Sequence, residues 1–255
     1  MALLAAYNSF MPTTIRLLPL AAADGPTNMA ADEALLETAA RGAASLRFYT
    51  WTEPTLSLGY FQPAAAREES ARLSGLPWVR RATGGAAIVH HRELTYALAL
   101  PPGPPWQTKE NWICRFHHVV QAVLADHGVR SRGVACGEEQ KRGDVLCFLH
   151  QTPADVTVDG SKVAGSAQRK LRGALLQHGS VLLRRSEFAP DLPGVHDAAG
   201  RDLFTPEGLA ELLAGRLAAA TSWRVVPGDW TEHEAARIAA IRAEKYANRQ
   251  WNEKR

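Results

Sequence analysis

The sequence predicts an α+β fold in which mixed β-sheets are flanked by helices and a helical segment closes the chain. Short β-rich segments crowd together between residues 46 and 100, a long amphipathic helix follows, and the tail is helix-forming. With 255 residues, 46% of them hydrophobic, the chain can bury one substantial core. We therefore expect one main domain, residues 14–200, with a helical C-terminal extension, residues 201–255, packed on it.

The first half of the chain alternates strand and helix signals. A strand is predicted at residues 14–20, and a helix from Asn28, where the asparagine resembles an N-cap and Met29, Leu35 and Leu36 have helical spacing. Further strands are predicted for LRFYTW, TLSLGY, AAIVH and LTYALAL, which begin at residues 46, 55, 86 and 94.

The second half opens with the clearest helix, ENWICRFHHVVQAVLADHG, which Gly128 ends. The apolar run VLCFLH follows, then a hairpin that turns at Asp159-Gly160, and then the strand ALLQHGSVLL. In the tail, Thr205-Pro206 marks a helix start, and Thr231 with Glu234 forms a capping box.

Composition excludes several classes of protein. Cys114, Cys136 and Cys147 make no disulfide framework, which predicts a reducing compartment, the cytoplasm. The first residues lack the features of a signal peptide, and no stretch is apolar for the length of a membrane helix. A net charge of +3 argues against nucleic acid and permits a weak preference for acidic protein partners. No heptad or long apolar edge is present, so a monomer is expected.

The segment RRATGGAAIVHHRELTY, residues 80–96, is a candidate ligand loop. Gly84 and Gly85 allow positive φ and close approach of a ligand to the backbone, and His90 ends the strand that follows. Taken on its own, the pair is more typical of a plain glycine turn between two strands, and the pattern matches no phosphate loop.

Cys147 and Lys162 are the candidate reactive pair. A lysine ammonium stabilises a nearby thiolate and offsets charge on a developing oxyanion. If the two residues lie on paired strands, their side chains meet over one face, and the small residues 164–167 leave room for a substrate. The spacing alone leaves the ordinary alternatives open, namely a buried apolar cysteine and a solvated lysine. Cys114 and His118 lack a third ligand, so no metal site is predicted.

Two motifs resemble those of the lipoate and biotin protein ligase superfamily. RRATGGAAIVH is similar to its RRxTGGxxVxH signature, and GSKVAGSAQRK to its GxKxxGsAQ lysine motif, in the same order. From Arg16 to Leu183 the chain most resembles the LipM-type octanoyltransferases, whose nucleophilic cysteine stands in a CF pair fifteen residues before the lysine, as Cys147 does here. Ala86 and Ala87 depart from the family's loop, and His91 stands where aspartate is common.

The resemblance implies the biotin–lipoate ligase catalytic fold, which is similar to that of class II aminoacyl-tRNA synthetases, for residues 14–200. It also implies that an octanoyl group passes from acyl carrier protein, through a thioester on Cys147 assisted by Lys162, to a lysine of a lipoyl domain, such as that of the glycine cleavage H protein or a 2-oxoacid dehydrogenase E2. No cofactor or metal is expected for this reaction, nor contact with nucleic acid or membrane. The implied substrate-binding residues are Arg80, Arg81, Thr83, Gly84, Gly85, His90, Gly165, Ser166, Ala167 and Gln168.

Other activities within the superfamily stay open. An ATP- and Mg²⁺-dependent lipoate ligase would use Lys162 to bind the acyl-adenylate, with Cys147 incidental, although this chain has Ala154-Asp155 where ligases usually have Asn-Asp. An amidotransferase between lipoyl domains would share the thiol chemistry, and a non-catalytic member would bind an acyl chain or a lipoyl domain without turnover. Lys162 or His90 could assist deprotonation of the acceptor lysine. The role of His178 is not predicted.

Overall fold

The computed structural model describes residues 13–141 and 145–255. The expectation that the chain begins without a signal peptide therefore falls mainly on residues outside the described part. Among the described residues the strands, in chain order, are β1 (Thr14–Leu17), β2 (Ala21–Ala23), β3 (Ser45–Trp51), β4 (Thr55–Leu58), β5 (Trp78–Arg80), β6 (Ile88–His90), β7 (Glu93–Leu100), β8 (Arg132–Gly133), β9 (Val156–Val158), β10 (Ser161–Leu171), β11 (Ala174–Leu182) and β12 (Arg224–Pro227).

The helices lie between and after these strands. In chain order they are α1 (Gly25–Ala39), α2 (Ala71–Ser74), α3 (Trp112–Asp126), α4 (Val195–Ala199), α5 (Pro206–Thr221), α6 (Glu232–Ile241) and α7 (Arg249–Asn252). Short 3₁₀ helices lie at Ala64–Glu68 and Cys147–Leu149, and a π-helical turn at Arg242–Tyr246 follows α6. Of the helices in the described ranges, none has the length and hydropathy needed to cross a bilayer.

The strands form a large mixed sheet and a small one. The large sheet runs in the order β12-β1-β3-β7-β11-β10-β9-β8, with β2 beside β3, and the small sheet in the order β5-β4-β6. The pairs among β12, β1 and β3 are parallel, whereas β3, β7, β11, β10, β9 and β8 pair antiparallel. The predicted α+β class with mixed sheets is confirmed.

Helices cover both faces of the large sheet. On one face, Phe116 of α3 and Leu213 of α5 pack with Tyr96 and Leu98 of β7. On the other face, α1 and α6 pack over the small residues of β7, including Ala97. Successive side chains of a strand point to opposite faces, so the sequence TYALAL presents large residues to one helical layer and alanines to the other.

The start of α1 differs from the prediction. Asp24, rather than Asn28, caps the helix, because its Oδ1 accepts a hydrogen bond from the backbone N–H of Thr27 and Pro26 occupies the first turn. Asn28 lies one turn inside the helix, buried, and its side-chain amide donates to the backbone oxygens of Ala23 and Thr50.

The tail contains a strand as well as helices. The predicted starts of α5 at Thr205 and of α6 at the Thr231–Glu234 capping box are confirmed. Between them, β12 adds a parallel strand beside β1, where the prediction had only helices. A strand this short has no sequence signal of its own, and it forms because β1 offers an unpaired edge.

A buried carboxylate ties α1 to the large sheet. Asp32 is 2% exposed, and it accepts hydrogen bonds at 2.9 Å from the Arg47 guanidinium, from the Tyr49 hydroxyl and from Nδ1 of His178. Burial, with Asp32 adding to it, holds the pKa of Tyr49 well above its usual value, so this hydroxyl stays a donor. The carboxylate therefore orders one helix and two strands at once.

Removing this carboxylate should leave the Arg47 cation buried without a counter-charge. We expect Asp32→Ala to lower the free energy of unfolding by about 3–5 kcal/mol, measured by urea denaturation. The double variant Asp32→Leu with Arg47→Met should recover most of this loss, because no uncompensated charge remains. Glu37→Ala is the control: it lies on the same helix but pairs with Arg237 at the surface, so its loss should stay below about 1 kcal/mol. Equal losses of unfolding free energy for Asp32→Ala and Glu37→Ala would contradict the role of Asp32 as the buried counter-charge of Arg47.

Candidate active site

The Gly84-Gly85 turn and Cys147 are brought together by backbone hydrogen bonds. The backbone N–H of Ala87 donates to the Val145 oxygen at 2.8 Å, and the N–H of Cys147 donates to the Ala87 oxygen at 2.7 Å. This short bridge places the glycine turn directly beside the cysteine, although about sixty residues separate them in the chain.

Cys147 does not lie on a strand paired with that of Lys162, as the sequence analysis assumed. It begins the 3₁₀ helix Cys147–Leu149, whose hydrogen bonds run from the N–H of Leu149 to the Leu146 oxygen and from the N–H of His150 to the Cys147 oxygen. The partner of the preceding residue, Leu146, is Ala87, so the apolar run VLCFLH bridges to the glycine loop instead of to β10.

The two side chains nevertheless meet. Nζ of Lys162, on β10, lies 3.7 Å from Sγ of Cys147, and Lys162 is only 4% exposed. The hairpin from β9 to β10 turns at Asp159 and Gly160, which both have positive φ, as predicted. The register of β10 against β9 then shifts between Lys162 and Ala164. A cation at this distance stabilises negative charge on sulfur, which is the arrangement of a cysteine nucleophile.

Asp155 is the counter-charge that the sequence analysis did not assign. Its Oδ2 lies 2.7 Å from Nζ of Lys162, and the same oxygen accepts hydrogen bonds from the backbone N–H and the hydroxyl of Thr152. The indication in the sequence was that Asp155 belongs to the Ala154-Asp155 pair, which stands where the ligases usually have Asn-Asp. A carboxylate that anchors the ammonium allows a fully buried lysine to keep a fixed position.

Gly165 provides the space for the lysine. A Cβ atom at this position would lie 2.5 Å from Cε of Lys162 and 2.9 Å from its Nζ. Ser166 and Ala167 line the same cavity as Gly165 and Lys162. Gln168, the last residue of the predicted set, instead donates to the side-chain oxygens of Gln177 and Asn111, away from that cavity.

The two neighbouring arginines of the loop motif point in different directions. Arg81 lines the cavity, and its guanidinium donates to the backbone oxygens of Ser57, Gly84 and Ala86. Burial lowers the pKa of Arg81 to about 10, and negative charge on Cys147 acts in the opposite direction. Arg81 therefore shapes the glycine turn and adds positive charge near the thiol.

Arg80 does not line the cavity, and its contacts stabilise the structure around the loop instead. Its guanidinium donates to the backbone oxygens of Gly59, Gln62 and Asn252. Trp251 in turn donates from its indole nitrogen to the Arg80 oxygen. The arginine thereby ties the small sheet to the end of the chain.

Two histidines of the site have both ring nitrogens engaged. Nδ1 of His90 lies 2.5 Å from Oε1 of Glu93, its Nε2 lies 2.8 Å from Oγ of Ser57, and its ring stacks on Trp51. His178 lies between Oδ2 of Asp32 and Oγ1 of Thr83, at 2.9 and 2.7 Å. Both rings line the cavity, whereas Thr83 does not. Neither histidine has a nitrogen free to take up a proton from a substrate without breaking a contact.

The cavity that these residues surround has a volume of about 450 Å³. Pockets for small ligands span roughly 300–1,000 Å³. Its wall combines Cys147, Lys162 and the Gly84-Gly85 turn with apolar and aromatic side chains, among them Met29, Tyr49, Ile88 and Phe148. The arrangement can hold an apolar chain and present its carbonyl end to the thiol. Among the described residues, no three His, Cys, Asp or Glu side chains form a group that could bind a metal ion.

Comparison with known proteins matches this chain to one family. The family model of the lipoyl protein ligase A/B catalytic domain matches residues 24–188. The octanoyltransferase LipM of Kyrpidia tusciae is 33% identical over 94% of this chain and 98% of its own length. That of Symbiobacterium thermophilum is 32% identical over 95% and 99%.

Solved structures show the same fold. A lipoate-protein ligase A bound with ATP has a TM-score of 0.74 at 20% identity, over 94% of this chain and 99% of its own. A bi-partite lipoate protein ligase from Thermoplasma acidophilum has a TM-score of 0.68 at 19% identity, over 95% and 96%. The catalytic fold that the sequence resemblance implies is confirmed.

Replacing the lysine should slow the reactions of the thiol. We expect Lys162→Gln to reduce the rate of Cys147 alkylation by iodoacetamide at pH 7 at least tenfold, because the thiolate loses its cation. Mass spectrometry of the Cys147 peptide measures the rate. Lys170→Gln, an exposed lysine of the same strand, is the control and should react as the wild type does. The double variant Asp155→Asn with Lys162→Gln should react as slowly as Lys162→Gln while retaining more of the fold. Wild-type alkylation rates in both Lys162 variants would contradict a role for the ammonium.

Proposed function

The chain belongs to the family of the lipoyl protein ligase A/B catalytic domain, and we propose that it is an octanoyltransferase that works through a thioester on Cys147. The observation that carries the proposal is the 3.7 Å approach of Nζ of Lys162 to Sγ of Cys147 at the wall of an apolar cavity. A ligase that activates a free acid with ATP has no use for a thiolate at this place. The names of the relatives that match nearly the whole chain support the same activity.

In the first half-reaction the thiol of Cys147 gives up its proton to solvent, and the thiolate attacks the carbonyl carbon of an octanoyl thioester. A C–S bond to Cys147 forms, the C–S bond to the carrier breaks, and the carrier thiolate leaves and takes up one proton from solvent. The Lys162 ammonium offsets the negative charge as it moves from sulfur to oxygen and back. One thioester replaces another, so the step is close to thermoneutral and needs no ATP, metal or other cofactor.

In the second half-reaction a lysine of a lipoyl domain attacks the acyl-enzyme. An N–C bond forms and the C–S bond to Cys147 breaks, which leaves an amide on the acceptor and returns the thiol. Exchange of a thioester for an amide is downhill, so this second step supplies the driving force of the overall reaction. The reaction requires a free thiol, and the proposal therefore places the protein in a reducing compartment such as the cytoplasm.

A basic and aromatic surface beside the cavity fits an acidic carrier. Phe61 is 71% exposed and lies next to Gly84, within 3.9 Å of where a Cβ of that glycine would stand. Nζ of Lys254 lies 3.6 Å from the centre of the Tyr60 ring, and Arg255 lies against Tyr60 and Phe61. We propose that this surface, formed by Tyr60, Phe61, Lys254 and Arg255, receives acidic acyl carrier protein as the donor.

The first test is intact-mass spectrometry of the protein mixed with octanoyl acyl carrier protein in the absence of ATP. We expect an octanoyl adduct that hydroxylamine removes, because the acyl group is held as a thioester. Cys147→Ala should form no adduct, whereas Cys136→Ala, which removes an exposed cysteine, should form it as the wild type does.

Other outcomes of this test separate the alternatives. Modification of an apo lipoyl domain only when ATP, Mg²⁺ and free lipoate are supplied would identify a ligase and refute the proposal. An adduct formed from an octanoylated lipoyl domain, but not from acyl carrier protein, would keep the cysteine chemistry and identify an amidotransferase.

Altering the docking surface should weaken the binding of the protein donor but not that of a small donor. We expect Lys254→Glu combined with Phe61→Ala to raise the KM for octanoyl acyl carrier protein at least fivefold, with a smaller effect at high salt, and to leave the KM for octanoyl-pantetheine unchanged. Arg224→Glu is the charge-matched control, since Arg224 is exposed on β12 at the far edge of the large sheet. An equal rise of KM for both donors would locate the defect in the cavity instead of the surface.

A further inference from the structure

A buried histidine whose neutral ring is held in one tautomer lies behind the cavity. His117, on α3, is 2% exposed, and its Nδ1 lies 2.6 Å from the backbone oxygen of Ala154. A carbonyl oxygen only accepts, so Nδ1 carries the proton and donates it. Burial lowers the pKa of His117 and keeps the ring neutral. Nε2 therefore bears a lone pair.

That lone pair is aimed at a hydroxyl on the cavity wall. Nε2 of His117 lies 2.6 Å from Oγ of Ser166, so Ser166 donates its proton to the ring. The hydroxyl of Tyr96 lies 2.5 Å from the same Oγ and donates to it, and Nε2 of Gln177 donates to Tyr96 at 2.7 Å. These hydrogen bonds form a row from Gln177 through Tyr96 and Ser166 to His117. Each of them has a defined direction, and the row ends on the unprotonated Nε2 of the imidazole ring.

Ser166 is accessible from the cavity. It is partly exposed and lines the same space as Cys147 and Lys162. Its neighbour Gly165 packs against the Lys162 side chain. Gly179 of β11 leaves the room that the Ser166 hydroxyl occupies, because a Cβ there would lie 2.4 Å from Oγ. A substrate amine beside the thioester can therefore reach the Ser166 hydroxyl.

The charged and titratable groups around His117 come from several elements. Asp155, before β9, favours a positive charge on the ring, while Lys162 of β10 and His118 of α3 oppose it. Tyr96 of β7 faces the ring through Ser166 and remains protonated, since burial raises its pKa further above neutrality. The ring can take up a proton transiently, with Asp155 as the nearby compensating charge, and must then release it.

We propose that His117, acting through the hydroxyl of Ser166, is the base that deprotonates the acceptor lysine in the second half-reaction. The proposal rests on the proposed function, since it requires an acyl-enzyme on Cys147. His90 and His178 are less suited, because the hydroxyls that contact their Nε2 atoms, those of Ser57 and Thr83, do not line the cavity. Lys162 is less suited as well, because its Nζ is already paired with Oδ2 of Asp155.

The protons balance as follows. The acceptor ammonium gives one proton to Oγ of Ser166 while Ser166 passes its own proton to Nε2 of His117. The neutral amine then attacks the thioester carbonyl, the N–C bond forms, and the C–S bond breaks. The second proton of the amine goes to the departing Cys147 sulfur, which becomes a thiol, and His117 returns its proton to solvent through Ser166.

The test measures the rates of the two half-reactions separately in the variants Ser166→Ala and His117→Gln. Acyl-enzyme formation from octanoyl acyl carrier protein should slow far less than transfer in both, because the base acts only in the second half-reaction. Transfer from the isolated acyl-enzyme to a lipoyl domain should fall about 10²- to 10⁴-fold at pH 7, the usual contribution of a general base. Discharge by hydroxylamine should be unchanged, because this nucleophile is already unprotonated. His118→Gln, the exposed neighbour on α3, is the control and should transfer at the wild-type rate.

The pH profile provides a readout that mere distortion would not reproduce. In the wild type the transfer rate should be flat between the pKa of His117 and that of the acceptor lysine, near ~10.4. In the variants it should rise about tenfold per pH unit over this range, because only the amine that has already lost its proton reacts.

Each remaining outcome has a definite meaning. Transfer by both variants at the wild-type rate, or transfer and hydroxylamine discharge reduced by the same factor, would overturn the base assignment. If His117→Gln fails to fold, Ser166→Ala decides alone, since it removes a single oxygen. Absence of an acyl-enzyme in the wild type would instead refute the transferase proposal itself.

Discussion

The site depends on the burial of one lysine ammonium beside a carboxylate. Lys162 is almost inaccessible to solvent and would be strongly destabilising without a partner, and Asp155 at 2.7 Å supplies it. Thr152 holds that carboxylate with two hydrogen bonds, and Gly165 leaves the lysine its space. Because Asp155 takes one side of the ammonium, the other side is directed at Cys147, so the same ion pair holds a positive charge 3.7 Å from the sulfur of the proposed nucleophile.

The contacts of the histidines around the cavity reflect the same rule, which is that buried polar groups need hydrogen-bond partners. His90 and His178 are each held at both ring nitrogens, and they form a rigid polar wall. His117 is also held at both nitrogens, by a carbonyl oxygen and by the hydroxyl of Ser166, but this hydroxyl lines the cavity whereas the hydroxyls that hold His90 and His178 do not. The position of the hydroxyl partner is therefore what distinguishes the base that we propose from the other two histidines.

Close backbone contacts join the small sheet, the glycine turn and the cysteine segment at the site. A Cβ on Gly59 would lie 1.8 Å from the Gly85 oxygen, so the strand end of β4 packs directly on the glycine turn. Arg81 holds the carbonyl oxygens of that turn, and the Ala87–Leu146 bridge joins it to the cysteine segment. The loop, the thiol and the small sheet therefore form one unit, in which backbone contacts fix the position of the thiol relative to the glycine turn.

Local patterns in the sequence were enough to predict the α+β class, most of the strands, helix α3, the capped starts of α5 and α6, and the Asp159-Gly160 turn, because periodicity and capping act within a few residues. The motifs also identified the Cys147 and Lys162 pair, but through resemblance, since the spacing of fifteen residues does not require contact. The sequence alone indicated neither Asp155 as the counter-charge, nor the divergent directions of Arg80 and Arg81, nor the row from Tyr96 through Ser166 to His117. These contacts join residues that lie far apart in the chain or on different elements. They arise because the packed fold leaves each buried polar group only the partners that tertiary structure brings to it.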